Sequence, residues 1–199
     1  MKQKGLKLAA ALFFAAACMG TSAFAEMPPI YAGVEVGYGF SNFEVGGEGN
    51  LVFSGFELTP IVGMYPLGTR NFAVELNVQM AFQKEVDDGI LEYTTITPQI
   101  VAVYNFTSIP FVQPYIGAGI GYNINSIDSE VGTDMENSFS FVVKGGVRYN
   151  IPGTTCLVFG YGKYNVNSAK VEETYNGEKW EETVSAGTFS LGLGFGYMF

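Results

Sequence analysis

The chain is 199 residues long, with 10 Lys and Arg against 19 Asp and Glu, no His, and 26 Gly, 17 Phe and 12 Tyr. That length holds one domain, and the acidic balance argues against nucleic-acid binding, which relies on basic patches. The lack of His excludes catalysis built on a His general base or shuttle. Lys2, Lys4 and Lys7 precede an apolar run, Leu8 to Ala17, that is too short to span a bilayer as a helix. Ala23-Phe24-Ala25 then places small residues at the two positions a signal peptidase reads. Residues 1–25 are therefore read as a signal peptide and residues 26–199 as the mature domain, starting at Glu26. Ala15-Ala16-Ala17-Cys18 loosely resembles a lipoprotein cleavage site, but the usual Leu three residues before the Cys is missing, so Cys18 is read as part of the apolar run. Removal of the leader leaves seven positive and nineteen negative charges, a net charge of −12. Cys156 is then the only thiol, and no disulfide staples the domain.

The mature sequence lacks helix-period runs and alternates instead. In a strand, successive side chains point to opposite faces. The first strand places Ala32, Val34, Val36, Tyr38 and Phe40 opposite Gly33, Glu35, Gly37 and Gly39. A second sets Phe56, Leu58, Pro60, Val62 and Met64 opposite Gly55, Glu57, Thr59 and Ile61. The clearest run is the third, with Phe72, Val74, Leu76, Val78, Met80 and Phe82 against Ala73, Glu75, Asn77, Gln79 and Ala81. Next come Ile96 to Tyr104 opposite Thr95, Thr97 and Gln99, then Ile116 to Tyr122 opposite Gly117, Gly119, Gly121 and Asn123. The sixth sets Phe139, Phe141, Val143, Val147 and Tyr149 opposite Ser140, Lys144, Gly146 and Arg148. A seventh lies around Leu157 to Tyr164. The last puts Phe189 to Phe199 opposite Ser190, Gly192, Gly194 and Gly196. These make eight strands.

The polar face is mostly Gly, Ser, Thr and Asn, unlike the Lys/Glu-rich face of a solvated sheet. The apolar face runs about 9–11 residues, the length a tilted membrane strand needs. Aromatics sit at its ends, Tyr38, Phe40, Phe82, Tyr122 and Phe139 at one rim and Phe72, Tyr104, Tyr149, Tyr197 and Phe199 at the other. That is an aromatic girdle. A bilayer forbids open strand edges, so the eight strands close into an antiparallel up-and-down transmembrane β-barrel with its apolar faces outward. Connections 65–71, 105–110 and 150–155 are short; 41–51, 83–90, 125–137 and 165–184 are mostly longer and acidic. Short turns inside and long loops outside place both termini in the periplasm. Pro60, Pro98 and Pro114 each remove a ladder donor and are expected toward the short-turn rim.

Asn176-Gly177 is a strong hairpin signal. It extends strands seven and eight as a protruding ribbon carrying Tyr175 and Trp180. A two-residue turn there sets Phe189 opposite Tyr164 and points Val158 and Tyr164 outward, whereas apolarity favours Leu157, Phe159 and Tyr161. A bulge or a wider turn would reconcile the two, and the facing of this strand stays open.

From Ile30 to Phe199 the chain resembles the small eight-stranded outer-membrane barrels of the OmpA transmembrane-domain, OmpX and opacity-like type. The residues that carry this are Pro114-Tyr115-Ile116-Gly117-Ala118-Gly119-Ile120-Gly121-Tyr122, Lys144-Gly145-Gly146-Val147-Arg148-Tyr149 and the ending Gly194-Phe195-Gly196-Tyr197-Met198-Phe199. The ending is similar to the signal read by the barrel-assembly machinery. Gly194, Tyr197 and Phe199 fit it, while Gly192 stands where that signal prefers a polar residue. Ending at the last strand and carrying the ribbon, the sequence leans toward the OmpX type.

Glu35, Glu57 and Glu75 fall on the inner face of strands one to three, and Lys144 and Arg148 on that of strand six. An eight-stranded barrel is just wide enough for side chains to fill. Opposed charges there form either a structural ion-pair network or a gate, and the narrow bore favours the network. A carboxylate pair such as Glu35 with Glu57 or Glu75 is an acid/base option in principle, but the chain is read as non-enzymatic, without cofactor or metal. The acidic run Glu172, Glu173, Glu178, Glu181 and Glu182 lacks EF-hand spacing. It is a solvated loop or, with Tyr175 and Trp180, a strand-addition surface for an unidentified ligand. Expected partners are outer-membrane lipid and the assembly machinery, with the barrel monomeric. Two other readings are a narrow channel or small hydrophobic-molecule transporter, and a soluble periplasmic lipocalin-like binder.

Overall fold

A computed structural model describes residues 29–45, 49–86, 91–109, 111–128, 134–175 and 178–199. The expected leader with Cys18, the mature start Glu26, and Asn176 and Gly177 lie outside these residues. Eight long strands follow one another, β1 Ile30–Val45, β2 Gly49–Met64, β3 Phe72–Glu85, β4 Glu92–Asn105, β5 Val112–Asp128, β6 Ser138–Asn150, β7 Cys156–Tyr175 and β8 Glu178–Met198. Each pairs antiparallel with the next. β8 returns to β1, from Tyr31↔Met198 to Val45↔Val184, and closes the barrel. A two-residue strand, Asp134–Met135, pairs with Glu172 and Val171 of β7.

The outer and inner faces divide as the alternation requires. Leu76, Ile100, Ile116, Phe141 and Leu193 are exposed on the outside, while Glu75, Gln99, Lys144 and Ser190 are buried within. Burial of the small and polar face excludes the lipocalin-like arrangement, in which the apolar face would point inward.

Strands run past the expected loop starts. Residues 41–45, 83–85, 125–128 and most of 165–184 are strand, and β7 and β8 reach 20 and 21 residues. The reason is an inversion of the two faces. Beyond the apolar band the outward residues become polar, as at Asn42, Glu44, Lys84, Glu92 and Ser185, while Phe43, Phe53, Tyr93, Val184 and Ala186 turn inward. That is the pattern of a sheet in water. Read with the membrane pattern, it looks like loop.

The β7–β8 register is unbroken from Cys156↔Tyr197 to Tyr175↔Glu178 and includes Tyr164↔Phe189. No bulge intervenes. The hairpin geometry therefore decides the facing of β7 against apolarity, with Leu157, Phe159 and Tyr161 buried inside and Val158 and Tyr164 outside. The inner face of β8 makes room for them. Gly192, Gly194 and Gly196 are the partners of Tyr161, Phe159 and Leu157. A Cβ on Gly194 would stand 2.1 Å from the Phe159 ring.

The prolines leave marks in the ladders. The β2–β3 ladder skips from Leu58↔Met80 to Ile61↔Asn77, past Pro60, and β4–β5 skips from Ile96↔Ile124 to Gln99↔Gly121, past Pro98. Pro98 is the seventh of the 14 residues of β4, so it stands at mid-strand and not at the rim. Its lost donor is absorbed by a gap in pairing.

Candidate functional site

Buried side chains point into the described lumen from all eight strands. At the short-turn end Tyr31, Ile61, Tyr65, Val101, Val103 and Phe159 form one apolar cluster, with Tyr115, Leu157 and Tyr161. At the long-strand end Phe43, Phe53 and Tyr93 form a second, with Met135, Ala169, Val184 and Ala186. Phe43 meets both Phe53 and Tyr93 edge-on at 5.1 Å between ring centroids, a favoured aromatic geometry. Polar groups occupy the space between.

Glu75 of β3 is the hub of the polar layer. One carboxylate oxygen, Oε1, accepts from Arg148 Nη2 and from the Tyr31 hydroxyl. Its other oxygen accepts from Lys144 Nζ at 2.7 Å. Lys144 also donates to Glu35 Oε1 at 2.9 Å. Arg148 donates to Asn105 Oδ1 at 3.0 Å, and its guanidinium lies 4.6 Å from the Tyr115 ring centroid and 5.0 Å from that of Tyr31. Aromatic faces are favourable neighbours for a desolvated guanidinium. All four charged side chains are buried.

Glu57 belongs to a separate group. Its Oε1 accepts from Gln79 Nε2 and Ser190 Oγ, both at 2.9 Å. Lys163 Nζ lies 3.3 Å from Oε2, close enough for an ion pair but off-line for a hydrogen bond. Gln99 and Asn165 donate to Gln79 Oε1 at 3.0 and 2.8 Å, tying β3, β4 and β7 together.

The structure thus brings Glu35, Glu75, Lys144 and Arg148 into one cluster and sets Glu57 apart, against Lys163. Sequence reasoning missed Lys163, Tyr31, Asn105 and Gln79 as members. For Lys163 the signal was present. It shares the face of Leu157, Phe159 and Tyr161, and a Lys at mid-band belongs in the lumen, not in lipid. Of the expected assembly signal, Gly194 faces inward under Phe159, while Tyr197 and Phe199 face outward and stack at 5.0 Å. Tyr175 and Trp180 lie in the paired backbone of the ribbon, opposite Glu178 and Glu173. Chemically the lumen is suited to holding strands in place. Each of the three carboxylates already faces a cation, and among the described residues no group of three His, Cys, Asp or Glu is placed to hold a metal.

A closed antiparallel barrel with an apolar outer band and polar side chains buried inside defines an integral outer-membrane protein. The model of the outer membrane protein beta-barrel domain matches residues 9–199, and the chain belongs to that family. No curated protein matches the sequence. Among solved structures, the outer membrane protein AlkL is similar with a TM-score of 0.62 and 20% identity over 90% of this chain and 94% of that one. Neisserial surface protein A gives 0.59 and 17% over 85% and 97%. OprG from Pseudomonas aeruginosa gives 0.59 and 15% over 87% and 97%. These likenesses are of fold.

Proposed function

We propose that this protein is a non-enzymatic, non-conducting barrel of the bacterial outer membrane. Its short-turn end and both termini face the periplasm, and the β7–β8 ribbon stands outside as a surface for other molecules. The observation that supports the closed reading is that apolar clusters occupy both ends of the lumen, with the Glu75–Lys144–Arg148 network packed against Tyr31 and Tyr115 of the first. The inversion of face polarity beyond the band supports an aqueous setting for the long-strand end. Engagement of Glu35, Glu57 and Glu75 by cations supports a structural role for these acids.

Planar-bilayer recording tests this. The native barrel is expected to pass no resolved current steps. Arg148→Met is expected to abolish heat-modifiable migration in gels, because Glu75 and Asn105 lose a partner inside the barrel. A variant that folds like the native protein and conducts would make the network a gate and favour the channel reading.

A further inference from the structure

Three short turns meet at one corner of the barrel's short-turn end and enclose a cleft of 310 Å³. Arg70 comes from the turn after β2. Phe111 and Gln113 flank the first residue of β5, Asn150 ends β6, and Ile151 to Thr154 form the turn beyond it. Each turn is tied down by bonds that do not use the side chains of Arg70, Gln113 or Asn150. The Arg70 carbonyl accepts from Asn105 Nδ2 at 2.9 Å, and Asn105 Oδ1 accepts from Arg148, so this turn is joined to the polar layer of the lumen. Phe111 has a φ of 66°, in the left-handed region that side chains other than Gly rarely adopt. Its carbonyl accepts from the Asn150 amide at 2.8 Å, so the neighbouring turn holds this conformation. Thr154 Oγ1 donates to the Ile151 carbonyl at 2.9 Å and accepts from the Cys156 amide at 3.1 Å, which closes its own turn and occupies its hydroxyl.

The polar groups that remain are one guanidinium and two carboxamides. Gln113 is only 9% exposed, yet its carboxamide has no hydrogen-bond partner among the described residues. Leaving such a group unpaired is costly, and this one lines the cleft. The Asn150 carboxamide is likewise uncommitted, and Arg70 pairs with no carboxylate among the described residues. The described lining residues include no acid, and Phe111, Ile151 and Pro152 supply an apolar wall. A guanidinium forks onto a carboxylate or a phosphate through two parallel N–H donors. A carboxamide offers an acceptor as well as donors. A phosphate group is mainly an acceptor and would leave the oxygens of Gln113 and Asn150 unmatched. A peptide with a free carboxyl end supplies both kinds of group.

We propose that this cleft binds the carboxyl terminus of a peptide. Arg70 takes the carboxylate, Gln113 and Asn150 take the N–H and C=O of the last peptide unit, and a small terminal side chain lies against Phe111 and Pro152. The volume sets the size of the ligand. It is at the lower end of the roughly 300–1,000 Å³ of small-molecule sites, so it admits the last residues of a chain and not a folded domain. The proposal stands apart from the closed-barrel reading, since a barrel that conducted would keep these three turns.

Titration of N-acetyl-Ala-Ala onto the isotope-labelled mature chain in detergent micelles, followed by NMR, tests it. For a ligand of this size the dissociation constant is expected to be about a millimolar. The side-chain amide signals of Gln113 and Asn150 and the Nε–H signal of Arg70 are expected to shift together and to saturate. The C-terminal amide of the same peptide, and the acid with Arg70→Gln, are each expected to bind about tenfold more weakly, for one charge-assisted bond lost. Asn150→Asp is nearly isosteric, sets a carboxylate in the cleft and is expected to abolish binding. Heat-modifiable migration in gels checks that each variant folds, and either variant alone decides the outcome. Absence of shifts well above a millimolar peptide, or equal binding of acid and amide, would overturn the proposal. So would unchanged binding in a folded Arg70→Gln or Asn150→Asp barrel. Inorganic phosphate moving the same three signals at lower concentration than the peptide would make this a simple anion site and overturn the assignment to a peptide.

Discussion

Glu75→Ala is expected to destabilise the barrel by about 3–5 kcal/mol, the range for removing one partner from a buried ion pair. The loss exceeds one bond. Arg148, Lys144 and Tyr31 all donate to this carboxylate. Without it, among the described residues, Arg148 keeps its bond to Asn105 and Lys144 its bond to Glu35. Arg148 would then be a buried cation with no carboxylate partner among the described residues. Urea unfolding of the purified chain in phospholipid vesicles measures the effect. Glu75→Ala combined with Lys144→Met is expected to recover part of the loss, because an unpaired charge is removed with its partner. A single-variant loss under about 1 kcal/mol would mean that the lumen behaves like solvent, where ion pairs contribute little.

Phe159→Ala is expected to cost about 3–5 kcal/mol, as for other large buried aromatics. Gly194→Ala is expected to cost about 1–3 kcal/mol by overpacking. The two sites are one feature, since the Phe159 ring lies over the position a Gly194 Cβ would take, 2.1 Å from it. In the Phe159→Ala background, Gly194→Ala should therefore become nearly neutral. A double-mutant cycle reads this coupling directly. If Gly194→Ala were equally harmful in both backgrounds, the ring would not be what the glycine accommodates. Vesicle refolding contains no assembly machinery, so the measurement reads packing alone.

The strand β3 was legible because two independent signals agree there. Its alternation gives the faces, and Phe72 and Phe82 mark both ends of the band. Strand length was not legible, because Phe43, Phe53 and Tyr93 reverse the relation between face and polarity once the sheet leaves lipid. A pattern read for one solvent ends where the solvent changes. The facing of β7 was obscured by apolarity itself, since the lumen accepts Leu157, Phe159 and Tyr161 as readily as lipid would. Two further readings of the same residues would have resolved it. Lys163 shares their face, and Gly192, Gly194 and Gly196 supply the missing volume across the ladder. The charge network was only half legible. Parity places Glu35, Glu57, Glu75, Lys144 and Arg148 inside, but the stagger between strands decides that Glu57 meets Lys163.

The order of the strands ranks their ladders by chain entropy. Seven ladders join neighbours in sequence, and β7–β8 begins where Tyr175 pairs with Glu178. The eighth brings Tyr31 to Met198, across nearly the whole described chain. Loop-closure entropy rises with the logarithm of loop length, so this is the costliest ladder to initiate. It is also the one that removes the last free edges of the sheet. Until it forms, β1 and β8 both offer unpaired backbone to any other strand within reach, and the route to the closed barrel passes through the state most open to misassociation.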